Sequence, residues 1–221
     1  MNHYTIRKIQ PSELSAVDFS RAETGHLNYV FEEASSDNRP DVTFQVLHDG
    51  RSLYVHFRVL REQSVRVTHV GYQAHAWKDS CCEFFVQPKE GLGYFNFEMT
   101  AGGSLLLTYV EDPYRDPSKN GGMRKCTPVP FDQGGHIEII HTLPERIEPP
   151  LEGMTDWELR YRIPFGVFES FIGPIRPEEK TWHGNFYKCG DETPKPHYIA
   201  WAPIPILNFH TPSYFGTITL E

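Results

Sequence analysis

The chain has 221 residues, 39% hydrophobic and 23% charged, with 17 glycines and 18 prolines, so it can bury a core and is too varied for a low-complexity disordered chain. Its formal net charge of -8 excludes a broad electrostatic partnership with nucleic acid or an anionic membrane surface, since both draw on a positive excess. No run approaches the roughly 20 apolar residues of a membrane-spanning helix. The start, MNHYTIRKIQPSEL, has neither an apolar stretch of signal-peptide length nor a small-residue cleavage site, so the chain reads as cytoplasmic as written, or as secreted if an export signal has been removed.

In chain order, residues 12–20 predict a short helix. Val42, Phe44 and Val46 then alternate with Thr43 and Gln45, Asp49-Gly50 marks a turn, and Leu53, Val55, Phe57 and Val59 alternate with Tyr54, His56 and Arg58. A period of two on both sides of a turn is a β-hairpin signal. Residues 82–86 predict a strand, and so does the alternation of Phe95, Phe97 and Met99 against Tyr94, Asn96 and Glu98. A strand over 104–110 leads into EDPYRDPSKNGG (111–122), whose turn-forming residues predict a long surface loop. Residues 136–141 predict a further strand, followed by Trp157, Leu159, Tyr161 and Ile163 alternating with Glu158, Arg160 and Arg162. Residues 164–171 predict a helix with Pro at its first position, and 185–189 and 215–220 predict closing strands. Many short strands separated by Gly, Pro and Asp turns imply an all-β fold, an antiparallel β-sandwich of immunoglobulin or jelly-roll type with one or two short helices, in a single domain over 1–221.

The four cysteines, Cys81, Cys82, Cys126 and Cys189, have neither zinc-ribbon nor redox-pair spacing and read as buried free thiols. Cys81 and Cys82 point to opposite faces of any strand that carries them. Trp182 and Trp201 read as core or sheet-edge aromatics.

Two polar faces follow from the alternation. If Phe95, Phe97 and Met99 face the core, Tyr94, Asn96 and Glu98 project together on the other side. Glu158, Arg160 and Arg162 make a similar row, and either row is a solvated sheet face or a ligand platform. Near the C-terminus, NFYKCGD (185–191), PHYIAWAPIP and NFHTPSYFG interleave aromatic rings with hydrogen-bonding side chains. That mixture suits a sugar, which offers C–H patches to a flat ring and hydroxyls to fixed polar groups. Period two alone leaves open whether Asn185, Tyr187 and Cys189 or Phe186 and Lys188 face outward.

Taken in order, WKDSCCEFF (77–85), GYFNFEMTAGGSLL (93–106), DWELRYRIPF (156–165), WHGNFYKCGD (182–191) with PHYIAWAPI (196–204), and FHTPSYFGTITL (209–220) resemble the motifs of the carbohydrate-binding module family 9-like superfamily, in particular its standalone bacterial members. The resemblance implies a β-sandwich that holds the end of a glycan between two aromatic side chains, with structural calcium in some members. Trp77, six residues before Glu83, matches the first aromatic of the xylanase-attached modules. Phe209, three residues before Pro212 and ahead of Phe215-Gly216, stands where those modules carry the second, a Trp. Glu98 stands where they carry Arg, an acceptor in place of a donor.

These readings nominate Trp77 and Phe209 as stacking rings, with Asn96, Glu98, Asn185, Lys188, Asp191, His197 and His210 as polar ligand-binding residues. The expected activity is non-catalytic binding of a soluble saccharide or a polysaccharide end, with a glycoside hydrolase as a partner, no nucleic-acid or membrane partner, and no required cofactor. Calcium would be structural, and no metal ligands are assigned. The acidic loop residues Asp79, Asp112 and Asp116 are explained equally by turn chemistry, and the eleven histidines are scattered without metal-ligand spacing, although a loop could bring His69 and His75 together near Asp79. The alternatives are a glycan-processing enzyme using paired carboxylates among Glu83, Glu98, Glu158 and Asp191, or a sandwich that has lost its ligand.

Overall fold

The structure, a computed structural model, describes residues 2–119, 121–176 and 178–221. The described residues form β1 (His3–Lys8), β2 (Gly25–His26), β3 (Tyr29–Val30), β4 (Asp41–His48), β5 (Ser52–Val67), β6 (Cys81–Gln87) and β7 (Tyr94–Thr100). After them come β8 (Leu105–Arg115), β9 (Met123–Pro128), β10 (Glu138–His141), β11 (Ile147–Pro164), β12 (Thr181–Cys189), β13 (Tyr198–Ala200) and β14 (Gly216–Leu220). Two short α-helices accompany them, α1 (Phe131–Gly134) and α2 (Phe165–Ile172).

The strands run in the order β10-β11-β5-β4 in one layer and β14-β12-β6-β7-β8-β9 in the other. β1 belongs to both: His3 to Ile6 pair with β14, and Arg7 and Lys8 pair with β4. Both pairings of β1 are parallel, whereas the neighbours within each layer are antiparallel. The sandwich is therefore as the alternation implies, with one edge sewn shut by a strand that the sequence reading did not find.

Between the layers lies an aromatic core. Phe186 stacks on Phe84 with ring centroids 4.4 Å apart and on Phe44 at 3.6 Å, joining β12 and β6 to β4. Phe95, Phe97 and Met99 of β7 enter the same cluster, as do Trp157, Leu159, Tyr161 and Ile163 of β11. Every second residue of these strands is apolar because one face of each meets the other layer. Trp182 and Trp201 are both buried in this core.

Three departures have local causes. Residues 12–20 form two 3-10 turns, Leu14–Ala16 and Phe19–Arg21, because Leu14, Val17 and Phe19 pack on Leu47 and Tyr54 and the Asp18 carboxylate accepts the Ser20 N–H. The expected loop over 111–122 begins as strand: β8 runs on to Arg115 and β9 returns beside it, with register shifts near Asp112. Cys126, on this outer ribbon, is exposed, while the other three thiols are buried. The helix over 164–171 is borne out one residue later, as α2, and stops at Gly173, whose φ of 70° a residue with a Cβ adopts at a cost.

Candidate functional site

Alternation turns Cys81, Glu83 and Phe85 of β6 away from the core, with Tyr94, Asn96 and Glu98 of β7 beside them. The register sets Glu83 directly opposite Glu98 on one side and Tyr187 on the other, and Cys81 opposite Cys189. An uncovered sheet face of this kind would be wet. Here Phe31, Ile204, Phe209 and Phe215 pack over part of it, so Glu83, Asn96 and Glu98 are buried. What remains open is a cavity of about 550 Å³ with Glu83, Asn96, Glu98 and Thr108 lining it from the sheet, and Trp77, Arg115, Asp191, Phe209 and His210 from surrounding segments.

Trp77 sits in the single turn Ala76–Lys78 and is 37% exposed. The turn is anchored because Ala76 is buried and the buried Asp79 carboxylate accepts the N–H groups of Thr68 and His69 and the Thr68 hydroxyl. Phe209 lies flat on Tyr187, with centroids 4.0 Å apart and planes 7° from parallel, and Tyr187 Oη donates to the Phe209 carbonyl. One face of the Phe209 ring is thus taken by Tyr187, which fixes the ring's orientation.

The polar groups of the cavity are held by few partners. Asn96 Nδ2 donates to Glu98 Oε1 at 2.6 Å, Asn96 Oδ1 accepts the Thr108 N–H, and Glu98 Oε2 has no hydrogen-bond partner among the described residues. Burial pushes Glu98 up to about 8, with the Asn96 bond opposing and Asp191 adding to the rise. Burial, then Cys189 and Glu98, push Glu83 well above the usual carboxylate range. Asp191 is raised to about 6, again chiefly by burial. His210 is lowered to about 3 by burial and by Arg115. The Tyr94 hydroxyl, raised by burial, is hydrogen-bonded to His210 Nδ1 at 2.7 Å.

Trp77, Asn96, Glu98, Asp191, Phe209 and His210 therefore meet around one cavity. Asn185, Lys188 and His197 do not, and their nomination as ligand-binding residues is corrected. Phe186 and Lys188 point inward, so the ammonium of Lys188 lies between the layers, 2.9 Å from Glu62 Oε1 and 2.7 Å from His197 Nε2. Trp157 Nε1 donates to the other oxygen of Glu62 at 2.6 Å. Asn185 spends its amide on the backbone of Ala202 and Phe186. Lys188 is thus no partner of Asp191. The row of Glu158 and Arg160 lies on the other layer, where Glu158 pairs with His56, Arg58 and Arg160, the solvated-face reading.

Sequence reasoning missed Arg115, which sat in an expected loop, and Tyr94 as the partner of His210. Glu83 was weighed only as a catalytic carboxylate. Its place beside Glu98 follows from the core-facing Cys82 and Phe84 once β6 and β7 are paired, and no single strand states that pairing.

The acidic loop residues do not fit calcium. Asp79 receives N–H and hydroxyl donors, Asp112 Oδ1 accepts the Tyr114 N–H, and Asp116 Oδ1 accepts the N–H and hydroxyl of Ser118. Calcium requires six to eight converging oxygens, and these three carboxylates are not drawn together.

The family model of carbohydrate-binding family 9 matches residues 12–220. A protein from Bacteroides uniformis, provisionally assigned to carbohydrate binding, is similar in structure with a TM-score of 0.83 at 29% identity over 99% of both chains. A family 9 carbohydrate-binding module from Caldicellulosiruptor kristjanssonii in complex with glucose shares the fold at 12% identity and a TM-score of 0.59, over 100% of this chain and 96% of that one. The cellotriose complex of a family 9 module from the same organism does so at 12% identity and a TM-score of 0.60, over 100% and 94%. No curated protein matches the chain.

Proposed function

Because the chain belongs to carbohydrate-binding family 9, we propose that it binds a saccharide reversibly in the cavity bordered by Trp77 and Phe209, without chemical turnover. The observation that carries this reading is Glu98 Oε2, a buried oxygen with no partner among the described residues, in a cavity whose rim bears a partly exposed indole. A hydroxyl of a bound sugar satisfies such an oxygen, and the indole stacks on the sugar's C–H face.

The charge state of Glu98 matters to that contact. Raised to about 8, it is mostly protonated at neutral pH. Since Oε1 accepts from Asn96, the proton sits on Oε2 and makes it a donor. The exchange of Arg for Glu suggested by the resemblance then keeps a donor at this position. Stacking adds about 1 kcal/mol per ring beyond area burial, and each hydrogen bond contributes roughly 0.5 to 1.5 kcal/mol net. After association costs, such sums give affinities on the order of micromolar to millimolar. The family 9 structures with glucose and cellotriose support a soluble saccharide or a chain end as the ligand class.

The enzyme reading draws on one observation, the direct opposition of Glu83 and Glu98 across two strands. A glycosidase needs one carboxylate ionised and the other protonated. Burial pushes both of these up, so this pair supplies no ionised partner, and the cavity acid that stays mostly ionised at neutral pH is Asp191, raised only to about 6. Titration of soluble mono- and oligosaccharides, followed by tryptophan fluorescence in wild type and Trp77→Ala, tests the proposal. A saturable change lost in the variant, with no hydrolysis of chromogenic glycosides, supports it. A flat response across the sugars, or turnover abolished by Glu98→Gln, sinks it.

A further inference from the structure

Among the described residues, Cys81, Glu83 and Cys189 bring two thiol sulfurs and a carboxylate oxygen within 4.8 Å of one another, all buried. The strands impose this closeness. Cys81 and Glu83 are two residues apart on one face of β6, and Cys189 stands directly across from Cys81 on β12. Cys189 Sγ already donates to Glu83 Oε1 at 3.0 Å, so two of the three atoms are in contact through a proton.

We propose that Cys81, Glu83 and Cys189 form a binding site for a soft divalent cation of the zinc type, independent of any sugar. In a tetrahedral zinc site, with metal–sulfur bonds of about 2.3 Å, neighbouring ligand atoms stand about 3.5 to 3.8 Å apart. Three atoms already within 4.8 Å reach that spacing with small rotations of three side chains. The ion takes the place of the proton between Cys189 and Glu83, and the displaced thiol protons leave to solvent as thiolates form.

Access agrees with the ligand set. Glu83 and Cys189 line the cavity, which gives the ion a route from solvent. Paired thiolates select zinc-like ions over calcium and magnesium, which prefer oxygen. The ion suited to these three ligands is therefore not calcium.

The test is cobalt(II) and zinc(II) titration of the full chain under a phosphine reductant. Cobalt is expected to bind once per chain with a thiolate-to-metal charge-transfer band, which Cys81→Ser and Cys189→Ser abolish and Cys126→Ser leaves intact. Zinc is expected to raise the melting temperature of wild type but not of the two site variants. Should those variants fold poorly, X-ray absorption on zinc-loaded wild type decides the matter: two sulfurs at about 2.3 Å support the site. An all-oxygen-and-nitrogen shell, a single sulfur, or a charge-transfer band that Cys126→Ser removes overturns it. Saccharide titrations do not enter this outcome, so the site stands or falls separately from sugar binding.

Discussion

Lys188 Nζ lies 2.9 Å from Glu62 Oε1, with neither side chain exposed, so an ion pair joins β12 of one layer to β5 of the other. Burial would raise Glu62, but Lys188 and His197 hold it below its usual value. The Trp157 indole and the Cys189 carbonyl complete the bonding of the pair.

Removing one partner of such a pair strands the other charge, so Lys188→Met is expected to cost about 3 to 5 kcal/mol. Denaturant unfolding measures it, and a loss under about 1 kcal/mol contradicts a desolvated pair. Saccharide affinity of the remaining folded protein is expected to be unchanged, since Lys188 does not line the cavity.

The two rings separate binding from stability differently. Trp77→Ala is expected to weaken saccharide binding by at least about fivefold while lowering the unfolding midpoint less than Phe209→Ala does, because the residue is 37% exposed and sits in a single turn. Phe209→Ala is expected to lower both, since its ring also packs on Tyr187. Calorimetric affinities paired with melting curves check this, and equal destabilisation by the two variants counts against it.

Glu98 sets a pH dependence. Its folded value of about 8 exceeds the unfolded value near 4.5. The folded state thus holds the proton more tightly, and the stability this contributes is present in full below about pH 4.5 and lost as pH rises through 8. Glu98→Gln, which mimics the protonated acid, is expected to gain stability relative to wild type between pH 5 and pH 9, by on the order of a few kcal/mol. Saccharide binding by wild type is expected to change across pH 8 and that of the variant to stay flat. Parallel pH profiles for the two proteins rule out this role for Glu98.

His197 and His210 work in the opposite direction. Burial, then Lys188, lowers His197 to about 4, and burial, then Arg115, lowers His210 to about 3. Unfolded histidines take up protons near 6.5. The unfolded state therefore binds protons first as pH falls, and this part of the stability is present above about 6.5 and lost toward pH 4 and 3. Proton NMR is expected to show both rings neutral from pH 8 to about 5, and a midpoint near 6.5 for either contradicts its burial.

Much of the fold was legible one strand at a time. The alternation at 42–46, 53–59, 95–99 and 157–163 identified strands and their apolar faces, and Phe95, Phe97 and Met99 enter the core as that alternation requires. It also grouped Asn96 with Glu98. The family motifs added Trp77 and Phe209, which border the same cavity from two distant segments.

What periodicity could not supply was the choice between two faces and the identity of whatever covers them. Phe186 fits between Phe84 and Phe44, which turns Lys188 inward to Glu62 and leaves Cys189 on the cavity side beside Glu83. Packing of Phe31, Ile204 and Phe215 over the face that carries Asn96 and Glu98 turned a row that read as surface into a buried one, raising its carboxyls. The sequence by itself determined which residues share a side of a strand, because side chains alternate with a period of two. Which side is dry, which acid meets which base, and which thiols stand across from each other were decided only by tertiary pairing, because those contacts join residues far apart along the chain.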